Sequence, residues 1–441
     1  MAADEAGVDS PSHRTRTRRS QIVQPPTSGT LPRPSLLGPL ANPTYRGIWI
    51  ATLFSNFGVW IQSVAAAWAM TSIAPTVDFV AWVQAATSLP PLFFTILGGV
   101  LADRVDQRLV FLVAQSIVLV VALTLSGLQF FGLMTPWLLL ALTFGLDSGS
   151  ALRYPAYQTT IGEILPREMI PSALVLSSIG WNIARATGPA LGGLIIALWG
   201  VPAAFAVNAV LNTYIIFVLV RWRRRAKIVK PKRTGSIAAE VRGGFAYVAS
   251  APAIRAAMFR CFVFTLFASA VWSLLPLVAK NQVGGGPSTY GVMLGALGGG
   301  ALVGAAVIGW MRHNLGLRRL FAVATGCFCI ATAVLAVAQS LWLIVPLLAL
   351  GGLGWMVAMS TFNVVVQMAA HETYKGRAIS VYYVALFGGL ALGSWIWGHV
   401  AEQIDVRAGL AVAACGLAVS LLLYRRPSRM DLHFAVPADA D

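Results

Sequence analysis

The sequence predicts an all-α membrane protein with twelve transmembrane helices in two six-helix repeats and with both termini in the cytoplasm. Of the 441 residues, 57% are hydrophobic and 11% are charged, whereas a soluble globular protein is roughly a quarter charged. Apolar stretches of about twenty residues, the length of helix that crosses a bilayer, recur along the chain. Lys and Arg concentrate in alternate connecting segments, as expected when basic loops stay on the cytoplasmic side.

The apolar stretches are too long and too continuous for barrel strands, so helices are predicted. They fall into two sets of six, and the most charged segment of the chain separates the sets. The candidate spans are residues 47–71, 79–101, 109–131, 137–155, 172–199 and 203–220, then 256–278, 290–311, 320–338, 341–366, 378–400 and 408–423.

The other segments divide the chain into domains. Residues 1–44 are rich in Pro, Ser, Thr and Arg and are expected to form a disordered basic tail. An N-terminal half (45–220), a cytoplasmic linker (221–255), a C-terminal half (256–424) and a cytoplasmic tail (425–441) follow.

The linker opens with the basic run RWRRRAKIVKPKR and then contains a helical pattern. Its apolar residues Ile237, Val241, Phe245 and Val248 lie at helical spacing after Ser236, a suitable N-cap. A short amphipathic helix is therefore expected at the cytoplasmic surface. The pattern is compatible both with packing against the bundle and with lying in the lipid surface.

The net charge of +16 follows from topology and requires no nucleic-acid partner. With the N-terminus inside, the predicted outer loops contain only Lys280 and Arg407, and the inner loops contain the basic runs. The opposite orientation would reverse this asymmetry and break the positive-inside rule.

Enzymatic and metal-binding classes find no support in the motifs. The four cysteines, Cys261, Cys327, Cys329 and Cys415, lie in apolar stretches without metal-ligand spacing, and His399 is isolated. No P-loop and no HExxH motif occurs. We therefore predict a protein that is not an enzyme, with no catalytic residue, no metal and no cofactor.

The two halves carry similar segments in the same order. GVLADRVDQR (99–108) follows the second span and GWMRHNLGLR (309–318) follows the eighth. GPALGG (188–193) lies in the fifth span and GSWIWG (393–398) lies in the eleventh. The shared order indicates an internal six-span repeat, an architecture found in secondary transporters.

The 99–108 segment joins spans two and three on the cytoplasmic side. Gly99 permits close helix approach, and Asp103 at a helix end can pair with a basic residue or a helix N-terminus. With Arg104 and Arg108 these residues form a candidate conformational latch. The alternative is an ordinary short basic loop that is set only by topology.

This segment resembles the loop 2–3 signature of the major facilitator superfamily, G-x-L-A-D-R-x-G-R-K. Asp106 replaces the usual Gly of that signature, and Gln107 replaces its first basic residue. The GPALGG run resembles the fifth-span motif of drug exporters in the same superfamily. The exporter-motif residues implied by this resemblance are Gly188, Pro189, Gly192 and Gly193.

Three further runs resemble the branch that contains siderophore exporters and macrolide efflux proteins. They are RYPAYQ, then PREMIPSALVLSS with NIARATGPALGG, and GSIAAEVRGGFAYVASAPAIR. The resemblance covers nearly all of residues 45–426. It implies a proton-driven exporter in the bacterial inner membrane. It does not imply which substrate the protein transports.

Two charged residues lie near the middle of predicted spans, where charge is costly and usually functional. Asp147 is in span four and Arg185 is in span five, and both are placed near the midplane. One hypothesis is a charge pair that breaks when Asp147 is protonated or substrate arrives. The alternatives are a fixed structural pair and an Asp147 bonded permanently to Ser148 or Ser150.

Other polar residues within spans are candidates for a substrate cavity, although each alone is more often an interhelical hydrogen bond. Arg153 and Arg260 are expected near cytoplasmic helix ends, where their side chains can reach the surface. The candidate cavity residues are Asn56, Gln62, Trp181, Asn182, Asn208, Asn212, Asn363 and Gln367.

The leading hypothesis is a monomeric secondary transporter that works by alternating access. It would export a lipophilic or amphiphilic small molecule, drug-like or siderophore-like, in exchange for protons. A proton-coupled importer or facilitator is the first alternative. A membrane sensor or scaffold without transport is an alternative of another class. The expected partners are the small-molecule substrate, protons and the lipid bilayer, with no nucleic acid.

Overall fold

The computed structural model describes residues 35–104, 106–222, 237–371 and 374–424, with backbone alone at 95–104, 237–241 and 244–245. The described chain forms eleven α-helices and no strand. The helices are α1 (Pro43–Ile73), α2 (Asp78–Arg104), α3 (Gln107–Phe130), α4 (Pro136–Ile164), α5 (Ile170–Arg221), α6 (Ile237–Ser250), α7 (Pro252–Leu277), α8 (Pro287–Val337), α9 (Leu341–Ala369), α10 (Lys375–Gln403) and α11 (Val406–Ser420).

Two of these helices are each divided by a glycine. α5 has 52 residues and α8 has 51, so each would be roughly 75 Å long if straight. Gly200 and Gly316 have φ angles of +82° and +66°, which only glycine adopts at little cost. They separate α5a (170–199) from α5b (201–221). They also separate α8a (287–315) from α8b (317–337).

The contacts of α5 with α1 show that its chain reverses direction. α5a runs parallel to α1, because Gly180 lies beside Trp49 and Gly192, farther along α5a, lies beside Ile61, farther along α1. Along α5b the direction is opposite, because Asn208 bonds Gln62, and Asn212, farther along α5b, bonds Ser55. The same reversal occurs for α8a and α8b against α9.

Most helix contacts lie within α1–α5 or within α7–α11, and we call these two sets the N-terminal and C-terminal halves. The bundle has two ends. The terminal end carries the start of α1 and the finish of α11, and there Arg260 donates to the Leu423 carbonyl. The loop end carries the 74–77 connection. At the loop end the halves are joined, because Lys280 Nζ donates to the Thr71 carbonyl.

The connecting helix α6 packs against the C-terminal half. The Tyr247 ring stacks on Tyr374 at 4.6 Å, and the Tyr247 hydroxyl accepts a hydrogen bond from the His371 amide. Val248 is buried. Of the two interpretations of this helix, its described side chains favour packing on the bundle. Ser236 and the basic run 223–233 lie outside the described residues.

The predicted spans all coincide with helices. Span four extends farther than expected, because α4 continues through Pro155 to Ile164. Eight of the described helices, counting α5 and α8 once each, are long and apolar enough to cross a membrane.

Candidate functional site

Arg185 lies in the middle of α5a, between tryptophans of the two halves. Its guanidinium carbon is 6.0 Å from the Trp60 ring centroid on α1 and 5.8 Å from the Trp272 ring centroid on α7. Both distances are within the range of cation–π attraction. Arg185 therefore sits where the N-terminal and C-terminal halves meet.

Three N–H donors in this group have no acceptor in the described part of the chain. They are Arg185 Nε and the indole Nε1 atoms of Trp60 and Trp272. Buried donors are nearly always hydrogen-bonded in folded proteins. Arg and Trp side chains can only donate, so what these three lack is an acceptor.

Aromatic rings extend the group into both halves. In the N-terminal half the Trp181 ring lies 5.9 Å from Trp60, and Trp181 is 38% exposed. In the C-terminal half Trp355 contacts Trp272 at 5.5 Å and Phe264 at 5.9 Å. We call Trp60, Trp181, Arg185, Trp272 and Trp355 the central aromatic cluster.

Asp147 and Arg185 do not form the predicted charge pair. Among the described residues Asp147 has no ion pair, and Arg185 contacts the two indoles instead. The physical reason is packing: α4 lies mainly against α2 and α3, whereas α5 lies mainly against α1 and α8. Helices that are consecutive in sequence are therefore not the closest pair in space.

The alternative partners of Asp147 are also unused. The Ser148 hydroxyl donates to the Phe144 carbonyl at 2.7 Å, and the Ser150 hydroxyl has no partner among the described residues. Asp147 is half-buried. It stands one turn after Phe144 and two turns after Leu140, on the same stripe of α4.

That stripe of α4 borders an apolar groove between the halves. The groove has a volume of about 650 Å³ and is lined by α2, α4 and α10. Its tryptophans are Trp82, Trp137 and Trp395, and its lining contains no charged residue. The groove is separate from the central aromatic cluster.

The GPALGG run packs α5a against two neighbours. A Cβ at Gly188 would lie 2.7 Å from the Trp60 Cβ, and one at Gly192 would lie 3.0 Å from the Ile61 Cα, both on α1. A Cβ at Gly193 would lie 2.5 Å from the Pro287 carbonyl oxygen on α8a. Pro189 is buried beside them, and its carbonyl lies against Gly291. The glycines are thus required for close helix approach.

The GSWIWG run of α10 likewise packs against one helix of its own half and one helix of the other half. A Cβ at Gly393 would lie 2.2 Å from the Leu266 carbonyl on α7, within its own half. A Cβ at Gly398 would lie 2.7 Å from the Ala81 Cβ on α2, across the halves. In both runs the first glycine packs within a half and the last glycine packs between halves.

A buried polar network fills the N-terminal half. Ser55 donates to Asn212 at 2.9 Å, Gln115 donates to Asn212 at 3.0 Å, and Arg153 donates to Ser55 at 2.8 Å and Asn56 at 3.3 Å. All five residues are less than 10% exposed. This network joins α1, α3, α4 and α5b.

Four predicted cavity residues belong to this interior. Asn56 accepts from Arg153, Gln62 accepts from Asn208, and Asn212 donates to Asn208. Their exposure ranges from 0 to 5%. In this conformation each of the four makes at least one hydrogen bond to another helix, so they connect helices rather than line a cavity. Gln62 Nε2 has no partner among the described residues.

Arg153 and Arg260 were expected to reach the surface, and the structure corrects that expectation. Arg153 is 9% exposed and Arg260 is 6% exposed. The Arg260 guanidinium carbon lies 5.1 Å from the Tyr424 ring centroid, and the guanidinium donates a hydrogen bond to the Leu423 carbonyl. The hydroxyl and amide partners of Arg153 on α1 were not apparent from sequence, because they are nearly a hundred positions away.

The remaining cavity candidates are more accessible. Asn182 is half-buried and donates to the Ser178 carbonyl of its own helix. Asn363 is half-buried and accepts from Gln367, which is exposed. With Trp181, these residues are still able to face a substrate path.

The predicted latch is described only in part. The α2 backbone includes Gly99, Asp103 and Arg104, and their side chains lie outside the description. Arg108 donates to the carbonyls of Leu219 at 3.1 Å and Val220 at 2.8 Å, at the end of α5b. Arg108 thus caps a helix C-terminus, where a positive charge is favourable.

Replacing Arg108 with Ala should therefore destabilise the protein by about 1–2 kcal/mol, because two charge-assisted bonds at a partly exposed site are lost. Thermal unfolding of the detergent-purified protein measures this. Arg318→Ala is the matched control, since Arg318 holds the same repeat position, is exposed and makes no described polar contact. Equal melting temperatures for the two variants would contradict the capping role.

Comparison with known proteins identifies the family. Residues 34–433 match the sequence profile described as transmembrane secretion effector, of the major facilitator type. The chain belongs to that family. This confirms the predicted membership of the major facilitator superfamily. It also confirms that the chain is a multi-pass protein of the bacterial cell membrane.

Two relatives of this family member are transporters of known function. It is 25% identical over 411 residues to the multidrug efflux pump Tap of Mycobacterium tuberculosis, covering 89% of this chain and 96% of that one. It is 23% identical over 393 residues to the enterobactin exporter EntS of Salmonella typhimurium, covering 87% and 91%. Both relatives are transporters, which is consistent with a protein that is not an enzyme.

Solved transporter structures share the fold. A bacterial homologue of the human lysosomal transporter Spinster, in an inward-facing and unoccupied conformation, has a TM-score of 0.71 over 90% of this chain and 98% of its own. A POT family transporter with 5-aminolevulinic acid has a TM-score of 0.72, over 89% of this chain and 97% of its own. Both are 12% identical in sequence, so they establish the fold alone.

Proposed function

We propose that this transporter exports a lipophilic or amphiphilic small molecule by alternating access and that inward proton flow drives it. The efflux function of Tap and the exporter function of EntS support outward transport. The glycine contacts between the halves are the observation that carries the mechanism. A facilitator or proton-coupled importer would use the same contacts and is the second candidate, separated from export by the direction of transport.

The proposal includes twelve crossings with both termini in the cytoplasm. The reversals at Gly200 and Gly316 support this count, because each of α5 and α8 then crosses twice. The proposal also retains the domain division into two halves, 45–220 and 256–424, joined by the linker 221–255. Under this topology the loop end faces outward and the terminal end faces the cytoplasm.

The contacts between halves support a mechanism in which the loop end closes. α5a contacts α8a over the loop-end part of both helices. The contact extends from Gly193, which lies beside Pro287, to the Arg185 carbonyl, which lies beside Gly298. α2 touches α10 at the equivalent repeat position, through Gly398. Two repeat-related contacts on opposite sides of the bundle form an axis about which two rigid halves can rock.

In alternating access, closing the loop end allows the site to open toward the cytoplasm, the conformation from which an exporter would load. Lys280 and Thr71, and Glu402 with the Val77 amide, add polar contacts between the halves at this end. These bonds must break when substrate leaves on the outside. Their small number is consistent with an interface that opens and closes repeatedly.

Asp147 is the proposed proton carrier. It is the one described acidic side chain in the middle of a predicted span, and it has no described ion pair. Its position beside the groove lined by α2, α4 and α10 would make its charge sensitive to movement of the halves. An unpaired carboxylate in a membrane protein is costly, so protonation is coupled to exposure.

Asp147→Asn should reduce proton-driven transport at least roughly 10-fold, because the amide has the same shape and carries no titratable charge. Transport is measured across a pH series at fixed membrane potential. Ser148→Ala is the control, since the Ser148 hydroxyl bonds only its own helix. Proton-coupled transport that persists in Asp147→Asn at every pH would remove Asp147 from the mechanism.

Export is tested in cells by a growth and accumulation screen. A deletion strain, with and without the restored protein, is exposed to toxic compounds and siderophores. The proposal predicts that at least one amphiphilic compound accumulates less in the restored strain, and that collapse of the proton gradient removes the difference. A restored strain that accumulates more of its responsive compounds would indicate import.

A further inference from the structure

We infer that Arg185, with Trp60 and Trp272, forms a subsite for the acidic aromatic group of the transported molecule. The inference rests on the proposed function and narrows its substrate class to flat, aromatic compounds with an anionic oxygen. Each part of this chemistry follows from a separate feature of the central aromatic cluster.

The anionic part follows from the missing counterion. Arg185 remains charged under all ordinary conditions, and a charge at membrane depth is normally paired. Among the described residues Arg185 has no carboxylate partner, and Asp147 is not in contact with it. Because the described residues supply no neutralising group, we expect a bound molecule to supply it.

The oxygen acceptor follows from the three free donors. Arg185 Nε, Trp60 Nε1 and Trp272 Nε1 are buried, and none has an acceptor in the described structure. A carboxylate or phenolate oxygen can accept several hydrogen bonds, and the two oxygens of a carboxylate also match a planar guanidinium. A cationic ligand, by contrast, would supply no acceptor and would be repelled by Arg185.

The aromatic part follows from the walls. Indole rings lie on two sides of the guanidinium. Trp181 is 38% exposed and extends the aromatic surface from Trp60, whereas the buried Trp355 supports Trp272 from the core side. Flat rings stack favourably on such side chains. An aromatic acid can stack its ring on the exposed Trp181 indole and place its oxygen against Arg185, which a simple inorganic anion cannot do.

The location links binding to movement. Trp60 belongs to the N-terminal half and Trp272 to the C-terminal half, so a ligand between them senses the distance between the halves. The backbone of Arg185 itself forms the contact with Gly298 of α8a. Occupation of the subsite therefore acts on the α5a–α8a contact that holds the loop end closed.

Binding to the detergent-purified full chain tests the subsite without requiring transport. The probes are 2-naphthoate, neutral 2-naphthamide of the same shape, and cyclohexanecarboxylate, which has the charge without the aromatic ring. The wild-type protein should bind 2-naphthoate at least roughly 10-fold more tightly than either comparison compound, measured by titration calorimetry. Equal affinity for 2-naphthoate and 2-naphthamide would overturn the inference without any variant.

Variants assign the preference to named atoms. Arg185→Gln should abolish the preference for naphthoate over naphthamide, and Trp272→Phe, which keeps a ring and loses the N–H, should weaken naphthoate binding several-fold. Arg318→Gln, at an exposed arginine, should change nothing. A preference that survives in a folded Arg185→Gln protein would contradict the assignment, as would displacement of naphthoate by millimolar chloride or phosphate.

Failure of the subsite and failure of export give different results. If naphthoate binds in an Arg185-dependent manner and no compound is expelled from cells, the subsite stands and the exporter proposal fails. If neutral amphiphiles are expelled and naphthoate shows no preference, export stands and the acidic aromatic class is wrong.

Discussion

Gly298→Ala should shift the transporter away from the conformation with a closed loop end, whereas Gly299→Ala on the same helix should leave it unchanged. A Cβ at Gly298 would lie 2.5 Å from the Arg185 carbonyl oxygen and 2.8 Å from the Ala186 Cα. A Cβ at Gly299 would meet nothing within 4 Å. Overpacking of this kind costs about 1–3 kcal/mol, and the cost applies only while α5a and α8a touch.

The shift is measured by pulsed electron paramagnetic resonance. Spin labels are attached at Leu133→Cys and Trp342→Cys, exposed positions at the loop end of opposite halves, after replacement of the native cysteines. Gly298→Ala should enrich the longer distance roughly fivefold or more relative to Gly299→Ala. Identical distance distributions for the two variants would show that the α5a–α8a contact does not hold the loop end closed.

Asn212→Leu should destabilise the N-terminal half by about 2–4 kcal/mol, because the substitution leaves several buried polar groups without a hydrogen-bond partner. Asn212 is fully buried and accepts from Ser55 and Gln115 while it donates to Asn208. Leucine has a similar size and no hydrogen-bonding capacity, so packing is nearly conserved while all of these bonds are lost.

Asn363→Leu is the matched control, because Asn363 is half-buried and its described side-chain partner is Gln367 alone. Its cost should be within about 1 kcal/mol, typical of a single membrane hydrogen bond. Unfolding of both purified variants in mixed micelles gives the comparison. Equal stabilities would mean that the buried network contributes no more than one surface amide pair.

The helices were predictable because their composition responds directly to the bilayer. Apolar length located a helix at every predicted span. The repeat was also visible in outline: GPALGG and GSWIWG were matched by sequence, and their last glycines, Gly193 and Gly398, occupy equivalent contacts between halves. What each glycine touches was beyond prediction, because close approach depends on which helices become neighbours.

The partners of polar residues were predicted less well for the same reason. Asp147 and Arg185 were paired because their spans are consecutive, yet α5a lies against α1 and α8a. Asn208 and Asn212 were assigned to a cavity, yet they bond within the N-terminal half. Polarity shows that a side chain needs a partner, and only the packing determines whether that partner is a helix, a proton or a substrate.

The direction of transport in inverted membrane vesicles tests the central proposal most directly. Vesicles that carry the protein, energised to an acidic interior, are supplied with a compound that responded in the accumulation screen. The account predicts uptake into these vesicles, which corresponds to export from the cell, and its loss when the proton gradient is collapsed. Accumulation only in right-side-out vesicles would show that the protein is an importer.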